Sequence, residues 1–422
     1  MDKLVLESAG PLSGEIRISG AKNAALPILA ASLLTDEPCC ICNVPELKDI
    51  STMMEILKML GCSVTRSGDA IDVSANAVNN VIASYELVST MRASIAVLGS
   101  LLAKRGEAKV SFPGGCVIGP RPIDLHLKGL KALGAEIHIE EGYIVASASR
   151  LKGAKIYLGG HFGSSVLATA NTLMAAVLAV GETIIENAAC EPEISDLAGF
   201  LTKMGAEIKG KGTPTLVIQG VKKLRGVEYS VIPDRIETGT YMIAAVLTGG
   251  ELFLKNGKAS HNLAIIDKLR ECGAEIKESS RGINVRRDGE RLRAMDITTL
   301  TYPGFPTDLQ AQMMSLASVC EGISVITEKI YPERFIHISE LNRMGANILL
   351  EGSTAIIKGV EKLSGARVMA SDLRASAALV LAGLVAKGRT QISRVYHLDR
   401  GYEKIEEKLS RVGAKVWREK EE

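Results

Sequence analysis

The stretch from Ser111 to His126, Ser-Phe-Pro-Gly-Gly-Cys-Val-Ile-Gly-Pro-Arg-Pro-Ile-Asp-Leu-His, gathers several reactive side chains into one loop. Three prolines and three glycines break any helix or strand there. Cys116 stands in the middle, with Arg121 five residues on and Asp124 and His126 just beyond. A thiol beside fixed positive charge holds more of its thiolate form and reacts more readily than one among apolar neighbours. Local composition also fits an ordinary Gly/Pro turn with a bystander cysteine, since such punctuation mostly marks turns. The rest of the chain has to decide between these readings.

At 422 residues the chain is too long for one compact core, and two domains are expected. Lys plus Arg (50) nearly balance Asp plus Glu (48), so no overall field recruits nucleic acid or an acidic membrane, and any anion site must be local. Aromatic residues at 4% leave few stacking platforms for single-stranded nucleic acid. The apolar runs are shorter than a bilayer-spanning helix and no secretory leader pattern precedes Gly10, so a soluble, cytoplasmic protein is expected. Eight cysteines in a chain of this size do not suggest a disulfide framework. Cys39, Cys40 and Cys42 lack the paired spacing and nearby histidines of a zinc site and read as small apolar residues on a strand, as do Cys62, Cys190, Cys272 and Cys320. The six histidines are scattered, and neither a metal nor another cofactor is expected.

Self-similarity sets the architecture. One phrase recurs at Gly61, Gly134, Gly205, Gly273, Gly345 and Gly413, as in Leu133-Gly-Ala-Glu-Ile and Met204-Gly-Ala-Glu-Ile, with spacings of 73, 71, 68, 72 and 68. That period exceeds the common solenoid repeats and predicts six equivalent units. Before each glycine runs an amphipathic helix pattern, for example over 49–60, and the glycine is its C-terminal stop. After it comes a short alternating stretch that fits a strand with one wet face. Each unit has a second helix, predicted over 24–34, 93–103, 166–180, 236–247, 309–319 and 375–386, that is apolar nearly all round and must be buried on every side. Such units cannot cover themselves and must pack around their inner helices, three to a domain. The domains are expected at 22–231 and at 1–21 with 232–422. Charge gathers near the inner N-termini: Lys22, Arg92, Asp234, Arg235, Thr307, Asp308, Ser371, Asp372 and Arg374. N-capping accounts for Thr307, Asp308, Ser371 and Asp372. Cations there oppose the helix dipole, so Lys22, Arg92 and Arg374 point instead to a bound anion.

Taken together, Ser-Gly-Ala-Lys22-Asn23-Ala-Ala-Leu-Pro, Thr-Met-Arg92-Ala-Ser, Pro-Gly-Gly-Cys116, Gly-Pro-Arg121-Pro-Ile-Asp124-Leu-His126, Pro-Asp234-Arg235-Ile-Glu237-Thr-Gly-Thr, Phe-Pro-Thr-Asp308, Arg334-Phe, Asp372-Leu-Arg374-Ala-Ser and Asp399-Arg400-Gly-Tyr are highly specific. Along essentially its whole length the chain resembles the enolpyruvyl transferase family, in its branch that acts on UDP-N-acetylglucosamine and opens peptidoglycan synthesis. The fold this resemblance implies is α/β: two similar domains, each a threefold repeat around buried parallel helices, an inside-out α/β barrel that closes over the substrates. It implies that Lys22 and Asn23 meet phosphoenolpyruvate, aided by Arg121 and Arg400. It further implies that Arg92, the Arg121, Pro122, Ile123, Asp124 and Leu125 segment, Asp308 and the main chain near Ile330 contact the UDP-sugar, and that Arg334 and Asp372 bind substrate, while Arg374 and Arg400, charges standing among apolar sequence, are expected to bind phosphoenolpyruvate. Cys116 is then the acid that protonates the enol ether, Asp308 the base that takes the sugar hydroxyl proton, and fosfomycin a natural probe of the cysteine. One stretch departs from the family pattern, Gly159-Gly-His161-Phe-Gly-Ser164-Ser165, and leaves Ser164 and Ser165 to serve any diphosphate.

Two rivals stand beside this reading. Enolpyruvyl transfer to shikimate 3-phosphate belongs to the same class, and the Cys116 loop with Arg121-Pro122 argues against it. A purely structural six-repeat scaffold would have no need for cations at buried helix ends. Oligomeric state is not legible in the sequence.

Overall fold

The computed structural model describes residues 2–8, 10–114, 122–289 and 291–420, so the expectations placed on Cys116 and Arg121 fall outside the described residues. The chain divides into two compact units, one holding residues up to 19 together with those from 233 onward, the other holding most of 20–232. Among the described residues there are six four-stranded sheets, three in each unit.

Each sheet follows one plan, seen in the strands Ile82–Ala83, Glu107–Ser111, Glu136–Glu140 and Tyr143–Ser147. The short edge strand lies parallel to the second strand, Ile82 opposite Lys109. The buried inner helix, Val97–Arg105 with its leading turn Arg92–Ala96, connects them. An outer helix, Asp124–Ala132, leads to the third strand, and a hairpin returns the fourth to the centre, Val110 opposite Ile144 and Ile139 opposite Ile144. Where chain order would leave a strand place empty, a distant segment fills it. Glu228–Ser230 lies parallel to Cys39–Cys42, Ser13–Arg17 lies parallel to Glu251–Lys255, and Asp2–Glu7 sits between Arg389–Ser393 and Lys415–Lys420. Distant segments thus complete three of the six sheets, two at an edge and one, Asp2–Glu7, in the interior.

The recurring glycine does what its position predicts. Gly61, Gly134, Gly205, Gly273, Gly345 and Gly413 have φ of 101°, 94°, 110°, 106°, 89° and 101°, a region that costs glycine little. At each, the glycine N–H bonds the carbonyl three residues back and the next N–H bonds the carbonyl five back, as in Gly61 to Lys58 and Cys62 to Leu57. This double bond pattern satisfies the last carbonyls of the outer helix and turns the chain into the following strand.

The outer helices bury one stripe: Ile50, Met53, Ile56 and Leu57 in Lys48–Met59. The inner helices are buried all round, from Ile236 to Leu247 within Arg235–Thr248 and from Leu373 to Leu384 within Leu373–Val385. Inner helices approach closely where a side chain is missing. A Cβ on Gly99 would lie 2.3 Å from the main-chain oxygen of Asn171 in the neighbouring helix Val166–Ala176, and that oxygen cannot rotate away. The Gly99→Ala protein should lose about 1–3 kcal/mol of stability through overpacking, read as a lower midpoint in urea unfolding. An unchanged midpoint would show that the two helices are free to separate.

Candidate active site

In the unit that holds the C-terminal half, one carboxylate gathers the charged side chains at the inner N-termini. Asp308 Oδ1 accepts from Arg334 Nη1 at 2.8 Å and Oδ2 from Arg374 Nη2 at 2.8 Å. The guanidinium groups are nearly out of solvent, with Arg334 5% and Arg374 4% exposed. Burial alone would raise the Asp308 pKa, but the charges of Arg374 and Arg334 outweigh it and hold the carboxyl well below its ordinary value. Burial in turn disfavours the Arg374 cation, yet the Asp308 charge outweighs it and keeps the guanidinium protonated. Asp308 is not the only acid nearby: the charge of Asp372 also favours the Arg334 cation, and that of Asp234 the Arg374 cation.

Capping explains only part of the charge at these helix ends. Asp234 accepts from the N–H groups of Ile236 and Glu237 at 2.7 and 3.0 Å, and Asp372 from those of Arg374 and Ala375 at 2.8 and 3.2 Å. Ser371 instead donates to Asp372 Oδ2 at 3.4 Å. Thr307 and Asp308 also depart from the capping expectation, because the turn they begin has no side-chain cap. Asp308 is committed to the arginines, while Thr307 donates to Glu328 Oε2 at 2.9 Å and receives Arg334 Nη1 at 3.0 Å.

Glu328, which no sequence pattern marks, joins this cluster through Thr307. Fully buried, its Oε1 accepts from Thr299 Oγ1 at 2.6 Å and from the N–H groups of Ile330 and Tyr331 at 2.8 and 2.9 Å. It thereby fixes the main chain at Ile330 and, through Thr307, the approach to Asp308. Gln312 Nε2 donates to the Asp308 carbonyl at 2.9 Å and to Tyr402 Oη at 3.1 Å. Arg400 is half-buried at the end of the short helix Val395–Arg400, which Asp399 ties to the last strand through Arg418 Nη1 at 3.0 Å.

The other unit carries Lys22, Asn23, Arg92, Ser164, Ser165 and the residues from Pro122 to Leu125. Lys22 opens the inner helix Lys22–Ala31 and pairs with Asp49 Oδ2 at 3.0 Å, both side chains being buried. The anion that the sequence asked for beside Lys22 is therefore supplied in part by the first turn of the outer helix Lys48–Met59. Asn23 is half-buried next to it, and Pro27, lacking an N–H, gives the Asn23 carbonyl no intrahelical bond. Arg92 Nη2 donates to the Pro122 carbonyl at 3.4 Å, which joins two of the expected site segments. Ile123 is buried, Leu125 half-buried, and Asp124 exposed in the first turn of its helix. Ser165 caps Val166–Ala176 by accepting the Ala168 N–H at 3.4 Å, and Ser164 is half-buried beside it.

Behind these groups lies a buried amide–imidazole pair. Asn171 Oδ1 accepts the Gly99 N–H at 2.8 Å, so its Nδ2 donates to Ile95 O at 2.9 Å and to His126 Nδ1 at 2.8 Å. His126 Nδ1 is then an acceptor. Burial, with the Arg92 charge second, pushes the His126 pKa down to about 3, so the ring is neutral with its proton on Nε2. A histidine that looked like part of the reactive loop thus braces the start of the outer helix.

Of the cysteines expected on strands, Cys39, Cys40 and Cys42 lie in the strand Cys39–Cys42, whereas Cys62, Cys190, Cys272 and Cys320 lie in the turns and loops between elements. Among the described residues all seven are free and no group of three or more His, Cys, Asp or Glu could hold a metal ion. Cys39 is buried, while Cys40 and Cys42 are half-buried with their sulfurs 3.9 Å apart. No described helix is long and apolar enough to cross a membrane.

Comparison with known proteins places the chain in a family. A family model described as EPSP synthase (3-phosphoshikimate 1-carboxyvinyltransferase) matches residues 6–409. A UDP-N-acetylglucosamine 1-carboxyvinyltransferase of Methylacidiphilum infernorum is 56% identical over 418 residues, covering 99% of both chains. Its namesake in Coxiella burnetii (strain RSA 493) is 54% identical over 420 residues, covering 99% of this chain and 96% of the other. Among solved structures, the enolpyruvyl transferase NikO from Streptomyces tendae superposes with a TM-score of 0.89 at 24% identity, covering 99% and 98% of the two chains. EPSP synthase from Acinetobacter baumannii does so at 0.77 with 17% identity over the full length of both. At those identities the structural likeness shows the two-domain α/β fold alone. Matched by one family model over nearly its whole length and by relatives more than half identical to it, the chain belongs to the EPSP synthase family of carboxyvinyltransferases, among the UDP-N-acetylglucosamine 1-carboxyvinyltransferases.

Proposed function

We propose that the protein transfers the enolpyruvyl group of phosphoenolpyruvate to the 3-hydroxyl of UDP-N-acetylglucosamine with release of phosphate, the first committed step of peptidoglycan synthesis, in the cytoplasm. Beyond the relatives' names, one observation carries this reading: the Asp308 carboxylate held between Arg334 and Arg374 with both guanidinium groups buried. That arrangement puts two guanidinium donors and a carboxylate in the same place. Phosphoenolpyruvate brings a phosphate and a carboxylate, which arginines hold two oxygens at a time.

The enol ether becomes electrophilic at C2 once its CH2 carbon is protonated. The sugar hydroxyl oxygen then bonds C2 while its proton passes to a base. Elimination reverses the protonation: the methyl carbon gives up a proton, the C2–O bond to phosphate breaks, and phosphate leaves with the electron pair. Asp308 is assigned as the base. With both oxygens bound to arginine it is a weak one. An anionic substrate that draws Arg374 away would free Oδ2 and restore basicity when the hydroxyl arrives. Cys116 is assigned as the acid. Lys22, Asn23, Arg121, Arg374 and Arg400 are assigned to phosphoenolpyruvate, with Arg334 and Asp372 supporting them. Arg92, the Arg121 to Leu125 segment, Ser164, Ser165 and the main chain at Ile330 are assigned to the UDP-sugar.

The direct test is phosphate release from phosphoenolpyruvate with each acceptor. Release should require UDP-N-acetylglucosamine, and turnover with shikimate 3-phosphate in its place would overturn the assignment. The Cys116 role has its own test. Fosfomycin should alkylate Cys116 ahead of the other seven cysteines, faster with the UDP-sugar present, and a Cys116→Asp protein should escape labelling yet keep activity with a shifted pH profile. Peptide mapping that spreads the label over several cysteines would return Cys116 to the status of a turn residue.

A further inference from the structure

We propose that Tyr402 is a positioning residue that sets the direction of the Arg374 guanidinium, an inference that rests on the reading of Arg374 as a phosphoenolpyruvate ligand. Tyr402 is 1% exposed, and its hydroxyl is the point where the three inner helices of this unit meet. Thr240 Oγ1 from Arg235–Thr248 lies at 2.8 Å, Gln312 Nε2 from Gln310–Ala317 at 3.1 Å, and Arg374 Nη1 from Leu373–Val385 at 3.4 Å.

The proton directions follow from the partners. Gln312 also donates to the Asp308 carbonyl, which fixes its amide with nitrogen toward Tyr402. Thr240 donates its one proton to the Ile236 carbonyl at 2.9 Å. The phenol therefore donates to Thr240 and accepts from both Gln312 and Arg374. Burial, the largest influence on it, raises the Tyr402 pKa and keeps the phenolic proton in place. The Arg374 guanidinium also lies 5.7 Å from the centroid of the Tyr402 ring, so face and hydroxyl act on one cation. With Nη1 held by Tyr402 and Nη2 by Asp308, the planar fork has its orientation set from two sides.

Tyr402 is itself held. Its N–H bonds the Leu398 carbonyl at 3.0 Å. A Cβ on the preceding Gly401 would lie 2.5 Å from the Leu373 side chain, so the segment packs directly on the first residue of the helix that carries Arg374. Ring position and guanidinium position are thereby coupled.

Steady-state kinetics of Tyr402→Phe, which keeps the ring and removes the acceptor, provide the test. The KM for phosphoenolpyruvate should rise about tenfold, the loss of roughly one hydrogen bond to a charged group, with kcat and the KM for the UDP-sugar little changed. Thr240→Val, which removes the acceptor of the phenolic proton and leaves the tyrosine in place, should produce the same selective rise. In an Arg374→Lys background Tyr402→Phe should add nothing further. The proposal is overturned if both variants fold with wild-type KM values, or if Tyr402→Phe raises KM equally in the Lys background. Arg374→Lys with a wild-type KM for phosphoenolpyruvate would instead overturn the assignment of Arg374, and this inference with it.

Discussion

The fold of the C-terminal unit is organised by a conflict between charge and helix dipole. Arg374 stands in the first turn of a buried helix, where positive charge is opposed by the dipole and burial disfavours the ion. Asp308 resolves the conflict at 2.8 Å, and it does the same for Arg334. Removing one member of such a buried set costs about 3–5 kcal/mol, because the partners left behind are desolvated and unpaired. Asp372 near Arg334 and Asp234 near Arg374 add further negative charge to the cluster. Under the proposed function, an arriving phosphate or carboxylate competes with Asp308 for the two guanidinium groups.

The layer behind it consists of groups that hold other groups. Glu328 fixes Thr307 and the Ile330 turn, Asp372 caps the helix that presents Arg374, and Tyr402 gathers Thr240, Gln312 and Arg374. In the other unit Asn171 ties Ile95, Gly99 and His126 together, and Asp49 holds Lys22. These placements depend on the repeat plan, since each repeat buries an inner helix on all sides and the polar groups that helix carries find partners on neighbouring inner helices.

Much of this was legible in the sequence because its causes are local. The six glycines at about seventy-residue spacing need a left-handed backbone, and each ends an outer helix with the same pair of main-chain bonds. The inner helices announced themselves by apolar residues on every face. Lys22, Arg92 and Arg374 stood out because cations oppose a helix N-terminus. Missed were the partners made by folding. Asp49 lies 27 residues from Lys22, and Asp308 lies 66 from Arg374. Glu328 sits in an unremarkable Thr-Glu-Lys, and its work is done through bonds to Thr299, Thr307 and the turn it starts. The strands that complete the sheets at Glu228–Ser230 and Asp2–Glu7 come from the far ends of their units, beyond any local pattern. Local chemistry favours Thr307 and Asp308 as caps, and tertiary charge pairing overrides it.

Because the folded pKa of Asp308 is depressed, its pairing contributes stability that is fully present above the ordinary value of 3.8 and is lost as the pH falls below it toward the folded value. The most direct measurement is the titration of this one carboxyl by carbon NMR of aspartate-labelled protein, with Asp308→Asn identifying the resonance. In the ligand-free protein the signal should remain that of a carboxylate down through the ordinary aspartate range, and replacing Arg374 by alanine should move its midpoint upward. A midpoint at or above 3.8 in the unmodified protein would contradict the account, since the two arginines would then not be holding the charge on which the site is built.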